Sequence, residues 1–255
     1  MQTILQARGL KKYYGGRNDL TKALDGIDFE VGIGEFVGIM GASGSGKTTL
    51  LNCVSTIDTV TSGKILIGEN DITAMNQKAL SKFRRESLGF IFQDYNLLDT
   101  LTAYENIALA LSILRRPAKE IDARVNEAAD ALGIAGELAK YPYQMSGGQR
   151  QRVAVARAIV TEPAIVMADE PTGALDSKSS KALMENFRRL VRERNATILM
   201  VTHDAFSASY CDRILFIRDG RLYDELVRGD EARARFFDRI IEVVSRIGGD
   251  ANDVG

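Results

Sequence analysis

An α/β fold with an inserted helical region is predicted for this chain on three observations. Short apolar runs of strand character alternate with helix-patterned stretches along most of its length. A glycine-rich loop joins one short buried run, Phe36-Val37-Gly38-Ile39-Met40, to a helix starting near Lys47. Between Phe92 and Pro163, by contrast, no strand-like run occurs. The 255 residues are 45% hydrophobic, which suits one large domain or two closely joined lobes with a substantial core.

The elements follow in order. Ile4 to Gly9 and Lys22 to Val31 read as strands of an opening antiparallel region, broken by a turn at Tyr13-Tyr14-Gly15-Gly16. After the Phe36–Met40 strand and its helix, strands are expected at Lys64–Ile67, Leu88–Phe92, Ala164–Ala168, Thr197–Val201 and Arg213–Ile217. Residues 102–114 and 118–132 carry apolar side chains at helical spacing, with Pro117 separating the two. The tail, residues 230–247, spaces Phe236, Phe237, Ile240, Ile241, Val244 and Ile247 as a helix among charges. It reads as a helix covering its own core, with docking of a second subunit or a partner as the alternative.

Composition excludes several classes. With 33 Lys+Arg against 34 Asp+Glu the net charge is −1, which argues against holding nucleic acid through a basic surface. Arg84-Arg85 and Arg188-Arg189, with Arg192 and Arg194, sit among acids on helical patterns and read as solvated helix faces. Cys53 and Cys211 lie far apart in no metal-spaced cluster and read as reduced packing residues. No apolar run approaches the ~18–20 residues that cross a bilayer, and the N-terminus lacks a signal-peptide pattern. The chain is therefore expected to be soluble and cytoplasmic, with any membrane role supplied by a partner.

The chemistry concentrates in three segments. Gly41-Ala-Ser-Gly-Ser-Gly46-Lys47-Thr48 fits G-x-x-x-x-G-K-[ST] and follows a strand. Its glycines let backbone N–H groups curl around phosphate oxygens, and the next helix points its positive end at them. Lys47 is placed to contact the β- and γ-phosphates and the Thr48 hydroxyl to ligate Mg²⁺. The segment thus marks a P-loop NTPase core. Ile165-Val-Met-Ala-Asp169-Glu170 is an apolar strand ending in two carboxylates. Asp169 at its tip suits Mg²⁺, usually through water, and Glu170 suits a general base toward the attacking water. Ser146-Gly147-Gly148-Gln149 opens a helix and forms a second anion site by the same physics. Two phosphate sites of different design are most simply explained if they face each other across a dimer.

Together these segments resemble the nucleotide-binding subunit of ATP-binding-cassette transporters, from Tyr14 to about Gly220. Gly41–Thr48 resembles that family's Walker A, Gln93 its Q-loop and Ser146–Gln149 its signature. Asp169 and Glu170 resemble Walker B and the catalytic glutamate, Ala174-Leu175-Asp176 the D-loop, and His203, the sole histidine, the switch histidine. Tyr14 resembles the aromatic that stacks on adenine, with Tyr13 as the alternative. Met145 stands where the signature usually has Leu, a swap of similar volume.

The resemblance implies a single domain divided into a RecA-like core with an antiparallel β subdomain (1–93 and 160–229), a helical subdomain (94–159) and a tail (230–255). It implies catalysis by Glu170, His203, Gln93 and Lys47, and Mg²⁺ held by Thr48, Gln93 and Asp169. ATP would be contacted by Tyr14, Gly41, Ser43, Gly44, Ser45, Gly46, Lys47, Thr48 and Thr49, and by Ser146, Gly147, Gly148, Gln149 and Asp176. A head-to-tail homodimer on the cytoplasmic face of a bacterial membrane is implied, bound to an integral membrane permease, with the Phe90–Thr102 stretch forming either a groove for that partner or internal packing of the helical lobe. Gly173–Ser177 and the Phe-Gln-x-x-x-Leu-Leu run resemble the macrolide-export and lipoprotein-release group, and within it Phe92–Thr102, Ala196–His203 and Ala208–Leu215 resemble the bacitracin-type peptide-resistance ATPases. That subfamily works with a large permease and often with a sensor histidine kinase. A lipoprotein-release or macrolide-export ATPase, or a regulator that moves a membrane partner without transport, is the alternative. The DNA-acting and ribosome-acting relatives do not fit, because only a short helical stretch separates Gln93 from Ser146 and there is one cassette.

Overall fold

The computed structural model describes residues 2–16 and 19–249. Two long strands, β1 (Thr3–Tyr14) and β2 (Thr21–Gly32), pair antiparallel at the start of the chain. With β4 (Ser62–Ile67) and β5 (Asn70–Asp71) they form a four-stranded sheet of order β2-β1-β4-β5. A second sheet contains β3 (Phe36–Met40), β6 (Leu88–Ile91), β7 (Ile165–Asp169), β8 (Ile198–Val201), β9 (Arg213–Arg218) and β10 (Arg221–Val227). Its order is β10-β9-β3-β8-β7-β6, parallel from β9 to β6, with β10 as an antiparallel edge.

Alternation along the parallel strands sorts their apolar side chains into two cores. Phe36 and Met40 of β3, Val166 and Ala168 of β7, Ile198 and Met200 of β8, and Ile214 and Phe216 of β9 point to one side. Val37, Ile39, Ile165, Met167, Leu199, Val201, Leu215 and Ile217 point to the other. Burial on both faces is why these strands read as unbroken apolar runs. The second face packs against the four-stranded sheet and α1 (Lys47–Val54), with Leu80 and Phe83 of α2 (Gln77–Ser87) joining it.

The first face carries the remaining helices. These are α3 (Ala103–Ile113), α4 (Ala118–Leu132), α5 (Gly147–Ile159), α6 (Ser177–Arg194), the short α7 (Ala205–Ala208) and α8 (Arg233–Gly249). A Thr102–Glu105 capping box starts α3, and the buried Asn106 side chain bonds to Leu98 N and to the Leu98 and Leu101 carbonyls. Gly133, with φ of +63°, ends α4. No strand falls between β6 and β7, as the sequence pattern requires.

β1, β10 and α8 differ from expectation in ways that bear on the site. β1 does not stop at Gly9. That residue adopts φ of +56° within a register shift between Ala7 and Leu10, so the strand bulges and continues through Tyr13 and Tyr14. β10 was not foreseen, although Asp219-Gly220, both at positive φ, is the turn pair that hairpins favour. In α8 the buried row is Phe236, Ile240, Val243 and Ile247, while Ile241 and Val244 are exposed. Full burial of Phe236 alone contributes on the order of 2–3 kcal/mol. Both cysteines are free and buried, and burial pushes the Cys53 thiol up to about 12. Among the described residues no helix is long and apolar enough to cross a membrane.

Candidate functional site

Strand β3 lies inside the parallel sheet between β9 and β8, and the chain leaves its carboxyl end into the glycine-rich loop before α1. Ligands of open α/β sheets bind at such an edge. Backbone carbonyls exclude a side chain at two positions of the loop. A Cβ on Gly41 would stand 2.2 Å from the Ile217 carbonyl oxygen, and one on Gly46 2.3 Å from that of Ala23. Gly46, with φ of +104°, is also the N-cap of α1, and no side chain caps this helix. Lys47, 8% exposed, folds its ammonium back onto the Gly41 and Ala42 carbonyls at 2.9 and 2.8 Å. Burial lowers its pKa, and Glu170 and Asp169 oppose that shift.

Met40–Gly44, Lys47 and Thr48 line a cavity of about 590 Å³ together with Glu170, His203, Phe216, Val244, Ile247 and Gly248. Glu170 adopts φ of +45°, a strained position for a non-glycine residue. Its Oε1 lies 2.9 Å from His203 Nδ1, and the His203 N–H points to its Oε2 at 3.4 Å. The glutamate is largely covered and the histidine ring largely exposed. Two residues singled out separately in the sequence therefore form one hydrogen-bonded pair.

The residues fit a divalent cation beside this loop. Asp169 Oδ1 is buried with no hydrogen-bond partner, as is Ser45 Oγ. Burial pushes the Asp169 carboxyl up, Glu170 adds to the shift and Lys47 opposes it. A bound cation would favour the charged carboxylate. No group of three or more His, Cys, Asp or Glu able to hold a metal occurs among the described residues. Such sparse ligation is what Mg²⁺ accepts when substrate phosphates and water complete its shell.

Other predicted site residues lie around this centre. Tyr14 is 41% exposed, donates its hydroxyl to Asp58 Oδ2 at 2.7 Å, and meets the Thr49 side chain of α1. Tyr13 instead spends its hydroxyl on Asp25 Oδ1 at 2.6 Å. Exposure beside α1 makes Tyr14 the better placed of the two. Gln93 packs against Gly173, where a Cβ would come within 3.0 Å of the glutamine amide. Ser146, Gly147, Gly148 and Gln149 do not line the phosphate-loop cavity. Ser146 and Gln149 form a capping box on α5, and Met145 is buried in the core. Asp176 caps α6 through Ser179 N and Oγ at 2.8 and 3.0 Å, and these bonds hold its carboxyl below the usual range.

Sequence reasoning missed the residues that fasten these pieces together. Lys12 donates to Asp58 Oδ1 and sits over the Tyr14 ring at 4.8 Å, fixing the aromatic from the strand side. Buried Gln151 bonds to the Pro171 carbonyl at 2.8 Å, joining α5 to the segment after Glu170. Arg157 holds the Tyr95 and Asn96 carbonyls at 2.9 and 2.5 Å, and both of those residues have positive φ. None has a spacing signal.

Comparison with known proteins was consistent with this geometry. The family described as "ABC transporter" matches residues 24–173. The bacitracin export ATP-binding protein BceA of Halalkalibacterium halodurans is 51% identical over 250 residues, covering 98% of this chain and 99% of that protein. The lipoprotein-releasing system ATP-binding protein LolD of Porphyromonas gingivalis is 42% identical over 222 residues, covering 87% of this chain and all of that protein. A dimeric post-hydrolysis structure of the ATP-binding cassette MJ0796, bound to ADP and Pi, superposes with a TM-score of 0.79 at 36% identity. It covers 88% of this chain and 98% of that one.

Proposed function

This chain belongs to the ABC transporter family as an ATP-hydrolysing nucleotide-binding subunit, and on that premise we propose that it powers removal of, or resistance to, cell-envelope-targeting antimicrobial peptides through a multi-span permease. The observation that carries the site assignment is the cavity in which Lys47 and the Glu170–His203 pair face the glycine-rich loop. The cargo class is supported by the bacitracin export relative, which is similar over nearly the whole of both chains.

In this reading the backbone of Gly41, Ser43–Gly46 and Thr49 cradles the ATP phosphates, and Tyr14 stacks on the adenine. Lys47 turns from its carbonyl partners to the β- and γ-phosphate oxygens. Glu170 takes a proton from the water that attacks the γ-phosphorus as ADP leaves, and His203 fixes the glutamate's orientation. Thr48, Gln93 and Asp169 would hold Mg²⁺, which when bound would neutralise charge on the phosphates. Ser146–Gln149 of a second copy reach the γ-phosphate, and Asp176 lies at that junction, so two copies close head to tail on two nucleotides. Because ATP bridges both copies, its binding favours closure and its hydrolysis releases it. The dimer associates peripherally with the permease at the cytoplasmic face of a bacterial membrane. Contact with a sensor histidine kinase through that permease belongs to the same proposal.

Glu170→Gln tests the chemistry, since the amide keeps the shape but cannot accept the proton. Hydrolysis should fall about 100-fold or more, with ATP binding retained and an ATP-dependent dimer trapped in sedimentation. Normal turnover would remove Glu170 from its role. The cargo is tested by purifying the chain from native membranes with whatever permease accompanies it. A large permease with a bulky extracellular domain, and ATPase activity that responds to bacitracin, are expected. A small four-span partner would favour the second reading, lipoprotein release, which the full-length LolD similarity supports. No membrane partner at all would break the peptide-transport proposal.

A further inference from the structure

Helix α8 carries more apolar surface than its own core uses. One row, Phe236, Ile240, Val243 and Ile247, is buried at 7% exposure or less. A second row lies one residue further round the helix: Phe237 is half-buried, and Ile241 and Val244 are 41% and 39% exposed. The arginines of α8 are engaged within the chain, Arg239 and Arg246 on the side of the helix opposite this row. Arg239 bonds to Glu231 and to the Val227 carbonyl, Arg246 to Asp224, and Arg233 lies over the Tyr210 and Phe206 rings.

One end of the row, Val244, reaches the cavity of the glycine-rich loop, while Phe237 and Ile241 lie outside its lining. Val244, Ile247 and Gly248, in the last turns of α8, line the same cavity as the glycine-rich loop, Glu170 and His203. Whatever closes over a nucleotide in that cavity must also meet the end of α8. We propose that the Phe237–Ile241–Val244 row is a second contact between two copies of this chain, continuous with the nucleotide-bridged interface. The inference rests on the head-to-tail dimer proposed above. In a two-fold assembly the row is covered once in each copy, so one association event buries it on both. The row thereby couples nucleotide-driven closure to burial of apolar surface outside the catalytic centre.

The test uses the full chain carrying Glu170→Gln, with Mg²⁺ and ATP, and sedimentation to measure its dimer dissociation constant. Adding Ile241→Lys, at an exposed position outside the catalytic set, should weaken the dimer about 10-fold or more while ATP affinity stays unchanged. In parallel, Ile241→Cys supplies an accessible thiol, because Cys53 and Cys211 are buried. Its maleimide labelling should slow about 5-fold on adding ATP, and only at protein concentrations where the dimer forms. An unchanged dissociation constant in the Ile241→Lys chain would overturn the inference and leave the nucleotide-bridged dimer standing. ATP-dependent protection that persists at concentrations where the chain is monomeric would also overturn it, making α8 a cover for its own cavity. If Glu170→Gln alone stays monomeric with ATP, the underlying dimer fails, and the inference with it.

Discussion

Helices α1 and α5 both begin at glycine-containing turns, yet opposite means hold the two ends in place. The start of α5 is local. Ser146 Oγ accepts from Gln149 N at 3.3 Å, and Gln149 Oε1 accepts from Ser146 N at 2.8 Å, so four consecutive residues complete the cap. The start of α1 has no side-chain cap and is braced from a distance. The Ala23 carbonyl abuts Gly46, the Gly220 N–H donates to the Ser45 carbonyl at 3.0 Å, and the Asp25 N–H donates to the Gly220 carbonyl at 2.8 Å. β2 and the β9–β10 turn therefore buttress the phosphate loop. The difference is instructive. A braced but uncapped helix end keeps its backbone for an anion. The capped end uses a lone pair of the Ser146 oxygen and leaves the hydroxyl proton free to donate outward.

The sharpest way to break this contrast is Lys47→Ala, which removes the buried cation from the α1 end. Charge-assisted hydrogen bonds of this kind are worth about 1.5–3 kcal/mol. ATP affinity of the isolated chain should therefore fall about 10- to 100-fold, and hydrolysis should fall further. Titration with a fluorescent ATP analogue measures the first and phosphate release the second. Undiminished binding would mean that the α1 end is not the principal anion seat.

The same contrast explains how much was legible in the sequence. The glycine-rich loop, β3 before it and the α5 cap are contiguous patterns, so they could be read directly. Glu170 and His203 were each identifiable, but their meeting at 2.9 Å across 33 residues comes from adjacent β7 and β8 in the parallel sheet. The brace around the phosphate loop was hidden because β1 was expected to end at Gly9 and β10 was not anticipated. Without β10 there is no Gly220 to support Ser45. Val244 on the cavity wall was also hidden, since helical spacing marks an apolar row without saying what faces it. Short-range signals located the chemistry, and non-sequential strand order assembled it.

Two substitutions at Ser146 sharpen the comparison from the other side. Ser146→Ala removes the cap and should cost about 1 kcal/mol of stability. Ser146→Asp keeps a good N-cap, so its stability should stay within about 0.5 kcal/mol of the native chain. It also places a carboxylate where the γ-phosphate of the facing copy would sit. Both variants should bind ATP as isolated chains with native affinity, because Ser146 does not line the phosphate-loop cavity. ATP hydrolysis should fall about 10-fold in the first and about 100-fold in the second. Denaturant unfolding and turnover measured side by side separate the two roles. Equal activities that simply track stability would reduce Ser146 to a helix cap.

The smallest expected effect lies in the brace itself. Asp25 accepts from the Tyr13 hydroxyl at 2.6 Å and from Arg221 at 2.7 Å, linking β1 and β2 to the hairpin that supports Ser45. The Tyr13 hydrogen bond first, and Arg221 second, hold its carboxyl down at about 2. Because the folded value lies below that of the unfolded chain, near 3.9, the carboxylate stabilises the fold fully above about pH 4. Its contribution is lost as the pH falls through about 2. Asp25→Asn should therefore lower the urea midpoint slightly at pH 7, with a melting shift of at most about 2 °C. The gap between variant and native chain should narrow between pH 4 and pH 2. A gap that stays constant through that window would show that the Asp25 charge contributes nothing to the brace, leaving the backbone bonds to Gly220 to hold the phosphate loop.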